Sequence, residues 1–151
     1  LFSEEGDAMD TKIVFGVVVL AGIAAVMVLR GGGGASPASA AFENGTPFGE
    51  AIARGQEADR PVIAVVTADW CPPCQQLKKN TLTDGRVSSW IESNTIMTFV
   101  NSDREPAVAR ELGVKYLPTT VVLNGEKIVA SRSGYMSPEE YLGFLKQATG
   151  R

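Results

Sequence analysis

The chain's two cysteines, Cys71 and Cys74, lie three residues apart in ADWCPPCQQ, residues 68–76. At a helix start this spacing puts the sulfurs on neighbouring turns, close enough for a disulfide to form and reopen with little backbone movement. Three chemistries fit such a pair: a redox-active dithiol, half of a metal site, or an inert staple. Zinc wants four ligands and the chain has no histidine, so a metal site would need a second chain or carboxylates. A staple closing so short a loop would stabilise little, because the entropic effect of a cross-link grows with loop length. A haem-attachment motif requires a histidine after the second cysteine, where Gln75 stands.

The redox reading is the one the residues favour, and no metal ligands are expected. Only a thiolate attacks a disulfide, and a helix N-terminus favours the thiolate through its free N–H groups and positive dipole end. Cys71 is then the natural nucleophile and Cys74, one turn inside, the resolving thiol. Pro72 and Pro73 are tolerated in the first helical turn, but they remove two N–H donors. The obvious remaining donor is the N–H of Cys74. Thiolate stabilisation should therefore be modest, which favours a reducing rather than a strongly oxidising pair.

The elements that must hold this motif can be read around it. PVIAVVT (61–67) is a short Val- and Ile-rich run after a proline, read as a strand buried on both faces and running straight into the cysteines. Upstream, Thr46 and Pro47 read as the cap and first residue of a helix ending near 55–59. Downstream, CQQLKKNT is helical in composition, and DGRVSSWIES sets Val87, Trp90 and Ile91 at helical spacing, with Trp90 as core. TIMTFV (95–100) is a second strand. DREPAVARELG is a short helix with Asp103 as cap, Val108 and Leu112 on one face and Gly113 as stop. TTVVLNGEKIVAS reads as two strands joined at Asn124-Gly125. Ser137, Pro138 and Glu140 open a last helix with a capping box, its Tyr141, Leu145 and Ala148 facing inward. Parallel βαβ units followed by an antiparallel hairpin and a helix give a small α/β sandwich.

The rest of the chain is read from composition. A run of about 17 apolar residues, 13–29, between Lys12 and Arg30 is near the lower limit for spanning a bilayer. We read residues 9–30 as an uncleaved signal-anchor, with a cleaved signal peptide as the alternative, since ASA at 38–40 offers the small residues of a cleavage site. One flanking positive charge on each side gives no orientation. Residues 1–8, LFSEEGDA, read as a non-structural N-terminal extension. Residues 31–41, GGGGASPASAA, read as a flexible linker. Residues 42–151, about 110 in number, suit one domain with one core. The net charge of −3 with scattered signs gives no nucleic-acid surface. Lack of histidine removes Ser-His and Cys-His nucleophilic machinery.

Together ADWCPPC, NTLTDGRV, GVKYLPTT and GYMSPEEYLGFL resemble the thioredoxin family over nearly all of residues 42–149, most like the C-terminal thioredoxin domain of bacterial transmembrane thiol:disulfide interchange proteins. The resemblance implies a thioredoxin-like sandwich with a central mixed sheet of four to five strands. It implies that Pro118 is a cis-proline beside the CxxC pair and that Leu117 presents main-chain groups to an extended substrate segment. Trp70 would flank the same groove, and Gly134 would permit close approach. Two departures stand out. The acidic residue that thioredoxins bury beneath the cysteines is replaced by Val65, and its lysine partner by Phe99. An apolar pair avoids the cost of one leftover buried charge. It also removes the usual proton acceptor for Cys74, leaving water or Asp69, and exchange at neutral pH should be slower than in typical thioredoxins.

The sequence therefore points to a membrane-tethered protein-disulfide reductase with a Cys71–Cys74 redox disulfide and no cofactor. A redox-inactive binding module, an oxidase and an isomerase are the alternatives. Its partners would be disulfide-containing exported proteins and a separate membrane electron donor, because two cysteines and one span cannot relay electrons across a bilayer. The domain would face the oxidising extracytoplasmic side of the inner membrane, or be secreted after cleavage.

Overall fold

The computed structural model describes residues 46–151. The expectations for residues 1–8, 9–30 and 31–41, including the apolar run 13–29, lie outside the described residues. Among the described residues no helix is long and apolar enough to cross a membrane.

In chain order the elements are α1 (Phe48–Glu57), β1 (Val62–Thr67), α2 (Pro72–Gln76), a π-helical turn (Leu77–Thr81), α3 (Gly85–Asn94), β2 (Ile96–Asn101), α4 (Pro106–Glu111), β3 (Thr119–Asn124), β4 (Lys127–Ser133) and α5 (Pro138–Thr149). Among the described residues the sheet has four strands in the order β2-β1-β3-β4. β1 and β2 are parallel, running in register from Val62↔Ile96 to Thr67↔Asn101. Parallel neighbours need a crossover, and α2, the π-turn and α3 supply it. β3 is antiparallel to β1 and to β4, which makes the sheet mixed.

β1 is buried at every position because helices cover both faces of the sheet. Val62, Ala64 and Val66 point to the side of Ala51, Ile52, Ala109 and Leu112, from α1 and the α4 end. Ile63 and Val65 point to the side of Leu77, Val87, Ile91, Tyr141 and Leu145. Each such buried Val, Ile or Leu side chain contributes about 1.5–3 kcal/mol. A continuous apolar run, rather than an alternating one, is what a doubly covered strand requires. Trp90 is half-buried and packs on the second cluster. α1 lies close to β1 because Gly55 has no side chain: a Cβ there would come 2.6 Å from Val62 Cγ2 and 2.9 Å from Arg60 O.

Several local expectations shift. α1 begins one residue later than read, with Pro47 rather than Thr46 in the cap position and no side-chain cap bond. The Thr46 hydroxyl instead accepts from Arg54 Nη1 at 3.2 Å. Asp103 does not cap α4. Glu105 precedes that helix and Pro106 opens it, a residue whose missing N–H needs no cap. The β3–β4 loop is Gly125–Glu126, one step beyond Asn124-Gly125, because Asn124 still pairs with Lys127 and Gly125 takes the positive φ, 58°. The helix after Cys74 is interrupted by the π-turn, closed by Leu82 N–H donating to Leu77 O at 3.0 Å. The last helix is as read, with Ser137 and Glu140 forming the capping box and Tyr141 and Leu145 buried.

Candidate functional site

β1 delivers the chain to the loop Ala68–Trp70, and Cys71 then occupies the N-cap of α2 in extended conformation, φ −94° and ψ 102°. Pro72 and Pro73 fill the first two helical positions, as the sequence requires. The Cys74 N–H is the donor that remains, and it reaches Cys71 Sγ at 3.2 Å. The two sulfurs are joined, with a Cα–Cα distance of 5.3 Å. Cys71 is 3% exposed and Cys74 fully buried, so an incoming partner meets Cys71 first. Ala68, Cys71 and Cys74 form a small buried cluster on which Leu117 packs.

The Leu117–Pro118 peptide bond is cis. The Pro118 carbonyl accepts from Gly134 N–H at 2.7 Å, which ties the start of β3 to the end of β4. Gly134 has φ +96°, and a Cβ built there meets nothing within 4 Å. Its glycine is thus favoured by backbone conformation within this fold.

Trp70 is 69% exposed, and its indole Nε1 donates to Asp103 Oδ2 at 2.8 Å. This is where the aspartate read as a helix cap goes. Asp69 is exposed, its carboxylate accepting from Arg104 Nη2 at 2.8 Å and from Asn101 Nδ2 at 3.2 Å. The apolar pair Val65 and Phe99 are register partners on β1 and β2, and Val65 is fully buried.

Sequence reading missed three residues around the site. Tyr116 and Tyr135, exposed by 72% and 42%, flank the Leu117–Pro118 and Gly134 corners. Both stand next to residues the sequence did single out, and only exposure distinguishes them. Lys78 is the third: its Nζ sits 5.1 Å from the centre of the Phe99 ring. Burial lowers its pKa, Asp69 opposes that shift and Arg104 adds to it. Its spacing of four from Cys74 was the available signal. Among the described residues no cluster of three His, Cys, Asp or Glu could hold a metal ion.

The arrangement is that of a dithiol-disulfide switch at a helix start, with one sulfur near the surface and the other behind it. Comparison with known proteins agrees. A thioredoxin-like domain family model matches residues 48–149. The thiol:disulfide interchange protein DsbD of Pectobacterium atrosepticum is 30% identical over 94 residues, which is 58% of this chain and 16% of that protein. A thioredoxin of Chlorobaculum thiosulfatiphilum is 27% identical over 78 residues, 52% of this chain and 69% of its own length. The chain therefore spans about one-sixth of the length of the interchange proteins it matches. The solution structure of a thioredoxin from Thermus thermophilus superposes with a TM-score of 0.61 at 30% identity, covering 67% of this chain and 82% of that one. On these grounds the chain belongs to the thioredoxin-like domain family and carries its thiol-disulfide oxidoreductase fold.

Proposed function

We propose that this protein reduces disulfides of exported proteins while tethered to the membrane through residues 13–29, its folded domain on the extracytoplasmic side. The observation that carries the dithiol chemistry is the Cys74 N–H directed at Cys71 Sγ, with Cys71 at the rim and Cys74 behind it. The Cys71 thiolate attacks one sulfur of a substrate disulfide, and the other substrate sulfur leaves as a thiolate and takes a proton from water. Cys74 loses its proton and attacks Cys71 Sγ. The Cys71–Cys74 bond forms, the bond to the substrate breaks, and two electrons have passed to the substrate. Renewed turnover takes two electrons from a separate membrane donor.

In this reading Trp70, Leu117, Pro118 and Gly134 line the substrate groove, and Asp69 is the candidate proton acceptor for Cys74. The reducing direction is supported by the scarcity of N–H donors around Cys71 that Pro72 and Pro73 create. Tethering is supported by the length and apolarity of residues 13–29.

Trapping tests the reading. In cells, Cys74→Ala should accumulate mixed disulfides through Cys71 with exported proteins, and Cys71→Ala should accumulate none. After mild reduction Cys71 should alkylate while Cys74 stays protected. If neither sulfur reacts, the domain is a binding module whose disulfide is structural. An unchanged pH–rate profile in Asp69→Ala would remove Asp69 as the base.

A further inference from the structure

Lys78 follows Cys74 by four residues, in the segment that carries the dithiol. Leu77 beside it is fully buried, and the Lys78 side chain is half-buried against Phe99. Phe99 is in register with Val65, so the ammonium lies over a side chain of the β1–β2 pair, on the π-helical turn that continues the cysteine-bearing helix. The charged groups that act on it electrostatically are Asp69, from the loop that leads into Cys71, and Arg104, from the β2–α4 loop. Asp69 is bonded to Arg104 and Asn101. Among the described residues Lys78 has no carboxylate within 4.0 Å, the ion pairs being Arg86–Asp84 and Arg104–Asp69. An ammonium partly removed from water costs free energy, and the aromatic face of Phe99 and the more distant Asp69 offset only part of it. A cation kept there without a contact ion pair is available to an anion formed nearby. Four residues along a helical segment is about one turn, and the group one turn back that becomes an anion is the dithiol, when its disulfide opens.

We infer that Lys78 is a positioning residue for the redox chemistry, its ammonium serving as the counter-charge to the thiolate of the reduced Cys71–Cys74 pair. The inference rests on the dithiol reading above. It adds a positive charge, over Phe99, to the apolar Val65–Phe99 pair. The cation favours the reduced form, because only that form carries the negative charge.

The test uses the full chain with Lys78→Met, which keeps an unbranched stem on Phe99, and Lys78→Arg, which keeps the charge. Thiolate formation is followed by ultraviolet absorbance against pH, and the reduction equilibrium against glutathione. Lys78→Met should lower the thiol acid dissociation constant by roughly threefold to tenfold, from a Coulomb interaction in a partly screened site. Measured above the thiol's pKa, the potential should move by roughly 15–30 mV in the reducing direction, since tenfold is about 30 mV for two electrons. Lys78→Arg should stay within about twofold of the parent on the same scale. Matching titrations for parent and Lys78→Met overturn the inference, as does an Arg variant shifted as far as the Met variant. In both cases the dithiol reading stands. If the parent pair neither opens under dithiothreitol nor titrates, the dithiol reading falls and this inference with it.

Discussion

The indole of Trp70 is held by Asp103, Nε1 to Oδ2 at 2.8 Å, across two loops that are far apart in sequence. Trp70 precedes Cys71, and Asp103 follows β2, so the bond links the two parallel strands at the end where the cysteine pair lies. Because Trp70 is mostly exposed, the bond does little for the core. What it fixes is the direction of a large aromatic surface beside Cys71.

Asp103→Ala should therefore change global stability by no more than about 1 kcal/mol, the usual net worth of one solvent-accessible hydrogen bond. It should slow exchange with a protein disulfide while leaving exchange with a small dithiol near its parent rate. Denaturant melts and stopped-flow kinetics with the two kinds of partner check this. Equal slowing with both partners would show that Asp103 acts on the cysteines and not through Trp70.

Gly55→Ala tests the packing of α1 on β1. The added methyl would meet Val62 Cγ2 and the Arg60 carbonyl at distances no Cβ tolerates, and one of the two is backbone. Overpacking of this kind costs about 1–3 kcal/mol. Urea unfolding should show a lower midpoint with an unchanged slope.

Tyr141 links core packing to alkaline stability. Its hydroxyl is buried, Thr120 Oγ1 donates to it at 3.4 Å, and burial raises its pKa far above the ordinary tyrosine value of 10.0. A folded-state pKa above the unfolded one means the unfolded chain ionises first. The stabilisation is thus complete below about pH 10 and is lost as pH rises through the interval toward the folded value. In Tyr141→Phe that part of the alkaline decline should vanish, which unfolding free energies measured from neutral to alkaline pH can read directly. An identical decline in the two proteins would assign it to other groups.

How far the sequence revealed this molecule depends on the range of the forces involved. The buried strand at 62–67 and the Ser137–Glu140 capping box rest on local chemistry, and both are where the residues put them. The cysteine pair and the cis bond before Pro118 were legible from motif and resemblance. Asp103 was not, because its partner Trp70 lies 33 residues away and a local reading offered it a helix cap instead. Lys78 was missed for a related reason. Four-residue spacing from Cys74 marks a shared face, but only the tertiary fold brings the ammonium, from the π-helical turn, to Phe99 of β2. Thr46 and the hairpin loop were off by one residue, where neighbouring residues compete for the same role.

The two prolines between the cysteines give the sharpest test of the site's electrostatics. An N-cap side chain accepts from the N–H groups of the second or third helical residue. Here the third is Cys74, which donates to Cys71 Sγ at 3.2 Å, and the second is Pro73, which has no N–H to give. Pro73→Ala restores a donor without adding bulk or charge. A second bond to the thiolate should raise its acid dissociation constant by roughly tenfold, taking a charged-acceptor bond at the low end of its range for a site near the surface. Above the thiol's pKa the reduced form gains by the same factor, so the potential measured there should become about 30 mV more oxidising. Glutathione equilibration and thiolate absorbance measured on the same samples should move together. If the potential stays put while the protein remains folded, donor count at the helix start does not set the redox poise, and the weight falls on Lys78.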